Sequence, residues 1–185
     1  MNETYTLHVA GLTRELPVCK LNDKLSIAAF IMFSDVELTV ACAKELLAKC
    51  PAFDVILTAE AKGIPLAYEM SRQSGKPYIP ARKGVKLYMK EPVVVEDQSI
   101  TTAAKQTLVI DKKDLDAMNG KRILVVDDVI STGESLHALE ELVKTAGGTV
   151  TGRAAVLAEG DALGRKDITF LAPLPVFNAD GTVKA

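Results

Sequence analysis

The chain has 185 residues, with 22 Lys and Arg against 24 Asp and Glu, a formal net charge of -2 at pH 7. Hydrophobic residues make up 48% and charged residues 25%, which excludes intrinsic disorder and a strongly basic nucleic-acid-binding surface. Cys19, Cys42 and Cys50 form no C-x-x-C, and the two histidines, His8 and His137, stand far apart, so no zinc-type ligand cluster is expected and the thiols fit a reducing cytoplasm. The N-terminus lacks a basic segment followed by a long apolar run, so no signal peptide is expected. Charges also interrupt every apolar stretch before the roughly 18 residues that a membrane span needs.

Tyr5–Val9 and Glu15–Lys20 flank Gly11 and predict a small β-hairpin. Ser26–Phe33 is apolar and aromatic and fits either strand or helix. Asp35 reads as the N-cap of a helix running to about Lys49, with Val36, Val40, Ala43 and Leu47 at helical spacing and Pro51 as the stop. An alternation follows: strand Asp54–Ala59, helix Gly63–Ser74, strand Pro77–Ala81, strand Arg122–Val126, helix Ser135–Thr145, strand Val150–Ala158 and strand Ile168–Leu171. The run R-I-L-V-V has the unbroken apolarity of a parallel strand buried on both faces. Strands alternating with helices predict an α/β fold, a central parallel sheet flanked by helices. Residues 82–111 break the rhythm. They read as a protruding flap with basic residues at its root, in which Val93–Val95 and Thr107–Ile110 pair as a hairpin.

The segment V-V-D-D-V-I-S-T-G-E-S, Val125 to Ser135, carries the most chemistry. A buried strand is expected to end at Asp127 and Asp128. A short loop of Ser131, Thr132, Gly133, Glu134 and Ser135 then opens a helix. Ligands of open parallel sheets bind beyond the carboxyl ends of the strands. Backbone N–H groups and hydroxyls at a helix N-terminus suit a phosphate. The two carboxylates suit the vicinal hydroxyls of a sugar, or a divalent cation held through water. One turn thus offers sites for a phosphate and an adjacent ribose. A Walker loop and a dinucleotide-binding glycine fingerprint are both absent.

This eleven-residue segment resembles the phosphoribosyl pyrophosphate (PRPP) signature of type I phosphoribosyltransferases. Thr58–Gly63 (T-A-E-A-K-G) is similar to the pyrophosphate-loop segment of adenine phosphoribosyltransferases. Tyr78–Lys86 resembles the strand and basic segment before that family's flexible catalytic loop, and Ser99–Lys105 resembles the loop's tip. The resemblance spans about Asp35 to Leu171. It implies a type I phosphoribosyltransferase fold as a single domain over residues 1–185, with a small N-terminal hood (1–34) and a flexible hairpin loop (82–111). It also implies transfer of a phosphoribosyl group from PRPP to a nucleobase, with magnesium and release of pyrophosphate.

The roles it implies are specific. Asp127 and Asp128 hold the ribose hydroxyls and magnesium, directly or through water. Ser131, Thr132, Gly133, Glu134 and Ser135 wrap the 5-phosphate. Glu60, Ala61 and Lys62 meet the pyrophosphate, and Arg82, Lys83 and Lys86 neutralise its charge, in this family often across a homodimer interface. Phe33, in M-F-S-D, is the counterpart of a hood Phe that stacks on the purine. Two departures stand out. Glu134 replaces a glycine of many adenine-type members, and is expected to point outward or toward magnesium. The stretch Thr101–Gln106 lacks the family's Glu-Tyr pair, leaving Lys105 as the substitute proton-relay candidate. A purine base is the leading acceptor, adenine foremost, with xanthine, hypoxanthine and guanine open. Two alternatives stand beside it: a non-catalytic PRPP-sensing regulator of the same fold, and a transferase for orotate or another acceptor, whose carboxylate Arg14 or Lys20 would meet. About 35 residues precede the first core helix, which leaves no separate DNA-binding domain, so neither nucleic acid nor membrane is an expected partner.

Overall fold

The run from Arg122 into the acidic pair forms the middle of a five-stranded parallel sheet, in a computed structural model that describes residues 4–96, 107–178 and 182–184. In chain order the elements are β1 (Thr4–Val9), β2 (Leu12–Lys20), β3 (Leu25–Ala28), α1 (Val36–Lys49), β4 (Val55–Ala59), α2 (Ile64–Ser74), β5 (Tyr78–Ala81), β6 (Pro92–Glu96), β7 (Thr107–Asp111), α3 (Lys112–Ala117), β8 (Arg122–Ile130), α4 (Glu134–Thr145), β9 (Thr149–Glu159), a 3-10 turn (Gly160–Gly164), β10 (Thr169–Leu174) and β11 (Val176–Asn178). The central sheet has the order β10-β9-β8-β4-β5, and all its pairings are parallel.

Its strands alternate between two hydrophobic layers. Ile56, Leu124 and Val126 face a cluster with α1, α2 and the N-terminal strands, while Val55, Leu57, Ile123 and Val125 face one with α4 and β7. Every residue of β4 is buried. Each fully buried Leu or Ile contributes about 1.5–3 kcal/mol, so the carboxyl edge of this sheet is a stiff platform for side chains.

β6 and β7 form the expected antiparallel hairpin, with Val93 opposite Ile110 and Val95 opposite Leu108. Backbone bonds between Arg82 and Val109 tie the middle of β7 to the residue after β5. The expected tip, Ser99–Lys105, lies outside the described residues.

Four details depart from the sequence reading. β8 does not stop at the aspartates but runs through them to Ile130. α1 buries Leu38, Thr39, Cys42, Ala43 and Leu46, leaving Val36 and Val40 exposed at 73% and 37%. Apolar residues cover most of this helix, so two stripes satisfy its period, and packing against α2 and the sheet selects the other one. Ser26–Phe33 resolves as the short strand β3 followed by a turn. The sheet formed by the N-terminal strands, finally, is not built from the N-terminus alone. Its order is β1-β2-β3-β11, so residues 176–178 complete it. Leu7, Val9, Leu16 and Phe177 join the same hydrophobic cluster as α1 and the central sheet.

This sheet is also pinned by charge. Arg14 Nε donates to Asp35 Oδ2 at 2.6 Å, and its Nη2 donates to Asp35 Oδ1 and Glu37 Oε2. Asp35 at the same time caps α1, accepting from the Leu38 N–H at 3.0 Å. The Arg14 guanidinium holds the Asp35 carboxyl below the usual carboxylate range.

Candidate functional site

Three segments converge at the carboxyl edge of the sheet: the β4–α2 loop, the end of β8 with the loop into α4, and the first residues of β7 together with Lys83 after β5. They enclose a cleft of about 660 Å³ lined by Ala59, Glu60, Ala61, Lys62, Lys83, Thr107, Leu108, Asp127, Asp128, Val129 and Ser135. A smaller recess beside it is lined by Ser131, Thr132, Gly133 and Glu134, together with Asp127 and Ser135.

β8 delivers the acidic pair. Asp128 is buried, at 3% exposure, and Asp127 is half-buried. Asp127 Oδ1 accepts from the Asp128 backbone N–H at 2.9 Å. Burial, reinforced by the neighbouring Asp128 charge, raises the Asp127 carboxyl well above the usual range, and Lys62 works in the opposite direction. Lys62 Nζ lies 3.0 Å from Asp128 Oδ2. That contact is an ion pair without hydrogen-bond alignment, since Asp128 Oδ2, like Thr58 Oγ1, is buried with no hydrogen-bond partner among the described residues.

The Thr58–Gly63 loop packs tightly on this pair. A β-carbon on Gly63 would stand 2.3 Å from Thr58 Oγ1 and 3.0 Å from Asp127 Oδ1, so only glycine fits. The Glu60–Ala61 peptide is cis. Glu60 accepts from Arg82 Nε at 2.5 Å, and its other oxygen lies 3.5 Å from Lys86 Nζ. Arg82 lowers the Glu60 pKa through this bond, and Arg82 Nη1 also donates to the Tyr88 hydroxyl at 2.6 Å.

On the other side, Gly133 has φ 84° and ends the loop in the left-handed region, where glycine carries no penalty. α4 then starts at Glu134. The first residues of this helix, Glu134, Ser135 and Leu136, line the recess.

Most of the residues expected from sequence therefore meet. Glu60, Ala61, Lys62, Lys83, Asp127, Asp128 and Ser135 share the cleft, and Ser131–Glu134 its recess. Arg82 and Lys86 stand on Glu60 at the rim. Phe33, 48% exposed in the turn before α1, is not among the cleft's lining residues, and Lys105 lies outside the described residues. Both cations suggested for an orotate carboxylate are engaged, Arg14 by Asp35 and Glu37 and Lys20 by Asp23 at 2.8 Å. Thr107, Leu108 and Val129 were missed as lining residues. Nothing local in the sequence marks them, because the hairpin brings the first two there from a distance.

No group of three or more His, Cys, Asp or Glu side chains among the described residues could hold a metal. The acidic pair, with a buried oxygen that no hydrogen bond satisfies among the described residues, fits a cation of the kind that keeps most of its waters. Among the described residues no helix is long and apolar enough to cross a membrane.

Comparison with known proteins agrees with this geometry. An adenine phosphoribosyltransferase of Rhodococcus opacus is 36% identical over 137 residues, 74% of this chain and 74% of the relative. The crystal structure of an adenine phosphoribosyltransferase from Thermoanaerobacter pseudethanolicus superposes with a TM-score of 0.64 at 28% identity, covering 77% of this chain and 84% of that one. The enzyme from Trypanosoma brucei, solved with AMP, pyrophosphate and ribose-5-phosphate, shares the fold at a TM-score of 0.56 and 20% identity, over 74% of this chain and 64% of its own. The phosphoribosyl transferase domain model matches residues 41–178, from α1 to the end of β11, and the chain belongs to that family as an enzyme of the type I fold.

Proposed function

We propose that this enzyme transfers the 5-phosphoribosyl group of PRPP to a purine base, adenine foremost, and releases pyrophosphate. One observation carries the reading: a single strand-to-helix turn holds the acidic pair and the Ser131–Ser135 loop in one cleft and its recess, with Lys62 and Lys83 on the other walls. The names of the relatives support adenine as the acceptor.

Asp127 and Asp128 hold the ribose hydroxyls, and with them magnesium through water or the donor's own oxygens. Ser131, Thr132, Gly133, Glu134 and Ser135 wrap the 5-phosphate. Glu60, Ala61 and Lys62 meet the pyrophosphate, and Arg82, Lys83 and Lys86 balance its charge. Bound magnesium would supply further positive charge at the departing oxygens. Cleavage of the C1–O bond builds positive charge on the ribose and negative charge on the leaving group. Donors fixed in advance around that group lower the barrier. Water kept from the exposed carbon would spare it from hydrolysis. Phe33 offers a half-exposed ring for stacking on the base, and Lys105 is the proton-relay candidate of the loop.

A homodimer with shared sites is part of the same reading. Val85, Leu87 and Tyr88 are exposed at 59%, 108% and 62% directly after the basic residues at the rim, an apolar surface suited to a second copy. The three free thiols fit a reducing compartment, the cytoplasm.

The test is pyrophosphate release from PRPP with magnesium against adenine, guanine, hypoxanthine, xanthine, orotate and uracil. Release with adenine above the other bases is the expected result. Tight PRPP binding with no release for any base would make the chain a PRPP sensor instead.

A further inference from the structure

Arg165 follows the 3-10 turn after β9. Its Nε donates to Asp167 Oδ1 at 3.0 Å and its Nη2 to Asp167 Oδ2 at 2.7 Å. This fork fixes the plane of the guanidinium. The third nitrogen, Nη1, faces Gly133 and lies 3.0 Å from the point where a β-carbon on that glycine would stand. Gly133 is the last residue before α4 and the hinge of the loop that lines the recess. A cation thus stands directly behind that loop.

Asp167 is itself held from behind. Arg153 Nε lies 3.5 Å from Asp167 Oδ2 and also donates to Glu140 Oε1 on α4. Glu140, Arg153, Asp167 and Arg165 therefore form a row of alternating charges. The row leaves α4 at its seventh residue, crosses β9, and returns to the loop in front of the same helix. Isolated surface ion pairs add little stability. This row has a direction, and the end that faces the loop is positive.

We propose that Arg165 is a positioning residue for the 5-phosphate: clamped by Asp167, it holds the backbone of Gly133 in its wrapped form and places positive charge behind the donors of the loop. It sets affinity for the phosphoribosyl end of the substrate and takes no part in holding pyrophosphate. This rests on reading Ser131–Ser135 as the phosphate loop.

The test is calorimetric titration of the full chain with ribose 5-phosphate and, separately, with pyrophosphate, for the wild type, Arg165→Gln, Arg165→Lys and Asp167→Asn. Arg165→Gln should bind ribose 5-phosphate about tenfold more weakly, the loss of one charge-assisted contact, and bind pyrophosphate as the wild type does. Arg165→Lys should recover part of the loss. In turnover, KM for PRPP should rise by more than kcat falls. A folded Arg165→Gln with wild-type affinity for ribose 5-phosphate overturns the proposal, and so does equal weakening of both ligands. Should Arg165→Gln not fold, Asp167→Asn, which releases the fork and keeps the cation, must show the same selectivity or the proposal falls. A wild type that binds pyrophosphate but not ribose 5-phosphate would instead remove the phosphate-loop reading, and this inference with it.

Discussion

Lys62 and Asp128 meet across the cleft, Nζ to Oδ2 at 3.0 Å, although one stands on the loop after β4 and the other on β8. The lysine side chain is half exposed and the carboxylate 4% exposed, so the mobile partner answers the fixed one. On the proposed reading, a cation arriving at Asp128 would take over that role and free Lys62 for the phosphate side.

Lys62→Met should therefore raise KM for PRPP about tenfold, the effect of one lost charge contact. It should also lower the thermal midpoint of the ligand-free protein by a few degrees, because a buried carboxylate loses its counter-charge. Lys62→Arg should keep most of both. Steady-state kinetics and thermal melts check this, and an unchanged KM would remove Lys62 from the pyrophosphate side.

Asp127 gives the protein a pH signature. Burial first and the Asp128 charge second raise its pKa in the folded state. The folded chain then holds a proton that the unfolded chain has already released. Stability from this group is full at acid pH and is lost as the pH rises through its raised pKa. The carboxylates that arginines hold low, Asp35 and Glu60 among them, are ionised in both states above about pH 6 and add no slope there. Between about pH 6 and 8 the ligand-free protein should lose stability, and Asp127→Asn should flatten that slope. Melts across the range read this directly. A wild-type midpoint that climbs toward pH 8 would contradict it.

The double variant Asp127→Asn, Asp128→Asn separates chemistry from folding. Asn at position 128 removes a buried charge and Asn at position 127 replaces a carboxyl that its raised pKa already keeps protonated, so the melting point should hold or rise. Turnover of PRPP should fall by about two to four orders of magnitude, as when a preorganised electrostatic site is lost. Unchanged kinetics in the folded double variant would defeat the assignment of the acidic pair.

Gly63→Ala should be costly in two ways. The new methyl would meet Thr58 Oγ1 and Asp127, with the Asp127 Cα only 3.3 Å away. Overpacking of this kind costs about 1–3 kcal/mol, and the displaced carboxylate should lower activity as well. Gly84→Ala is the control, since a β-carbon there meets nothing within 4 Å. Its melting point and its kcat should stay at the wild-type values.

The central sheet was legible because its strands are short apolar runs buried on both faces, and the hairpin because Val93–Val95 and Thr107–Ile110 are β-rich on either side of a polar stretch. That the acidic pair and Ser131–Ser135 lie together was legible because they are confined to one strand-to-helix turn. What failed depends on partners distant in sequence. Leu25–Ala28 and Val176–Asn178 are too short to declare themselves, and are strands because they pair with each other. The face of α1 was ambiguous because Val36–Val40 and Leu38–Cys42–Leu46 fit one period. Arg165 carries no local signal, since nothing in G-R-K-D tells that Gly133 lies beside it.

The pairing of β3 with β11 has a consequence for how the chain reaches this state. Phe177 sits opposite Ser26 in that register and packs edge-on against Tyr5, with ring centroids 5.8 Å apart. During synthesis the first three strands leave the ribosome with their fourth still unmade, and β3 waits as an open edge until nearly everything else has been translated. Closing so long a loop is entropically late. The sheet of β1, β2, β3 and β11 should therefore be the last part of the molecule to assemble, and a nascent chain halted before Val176 should have its central strands paired while its amino-terminal strands still exchange amide hydrogens freely.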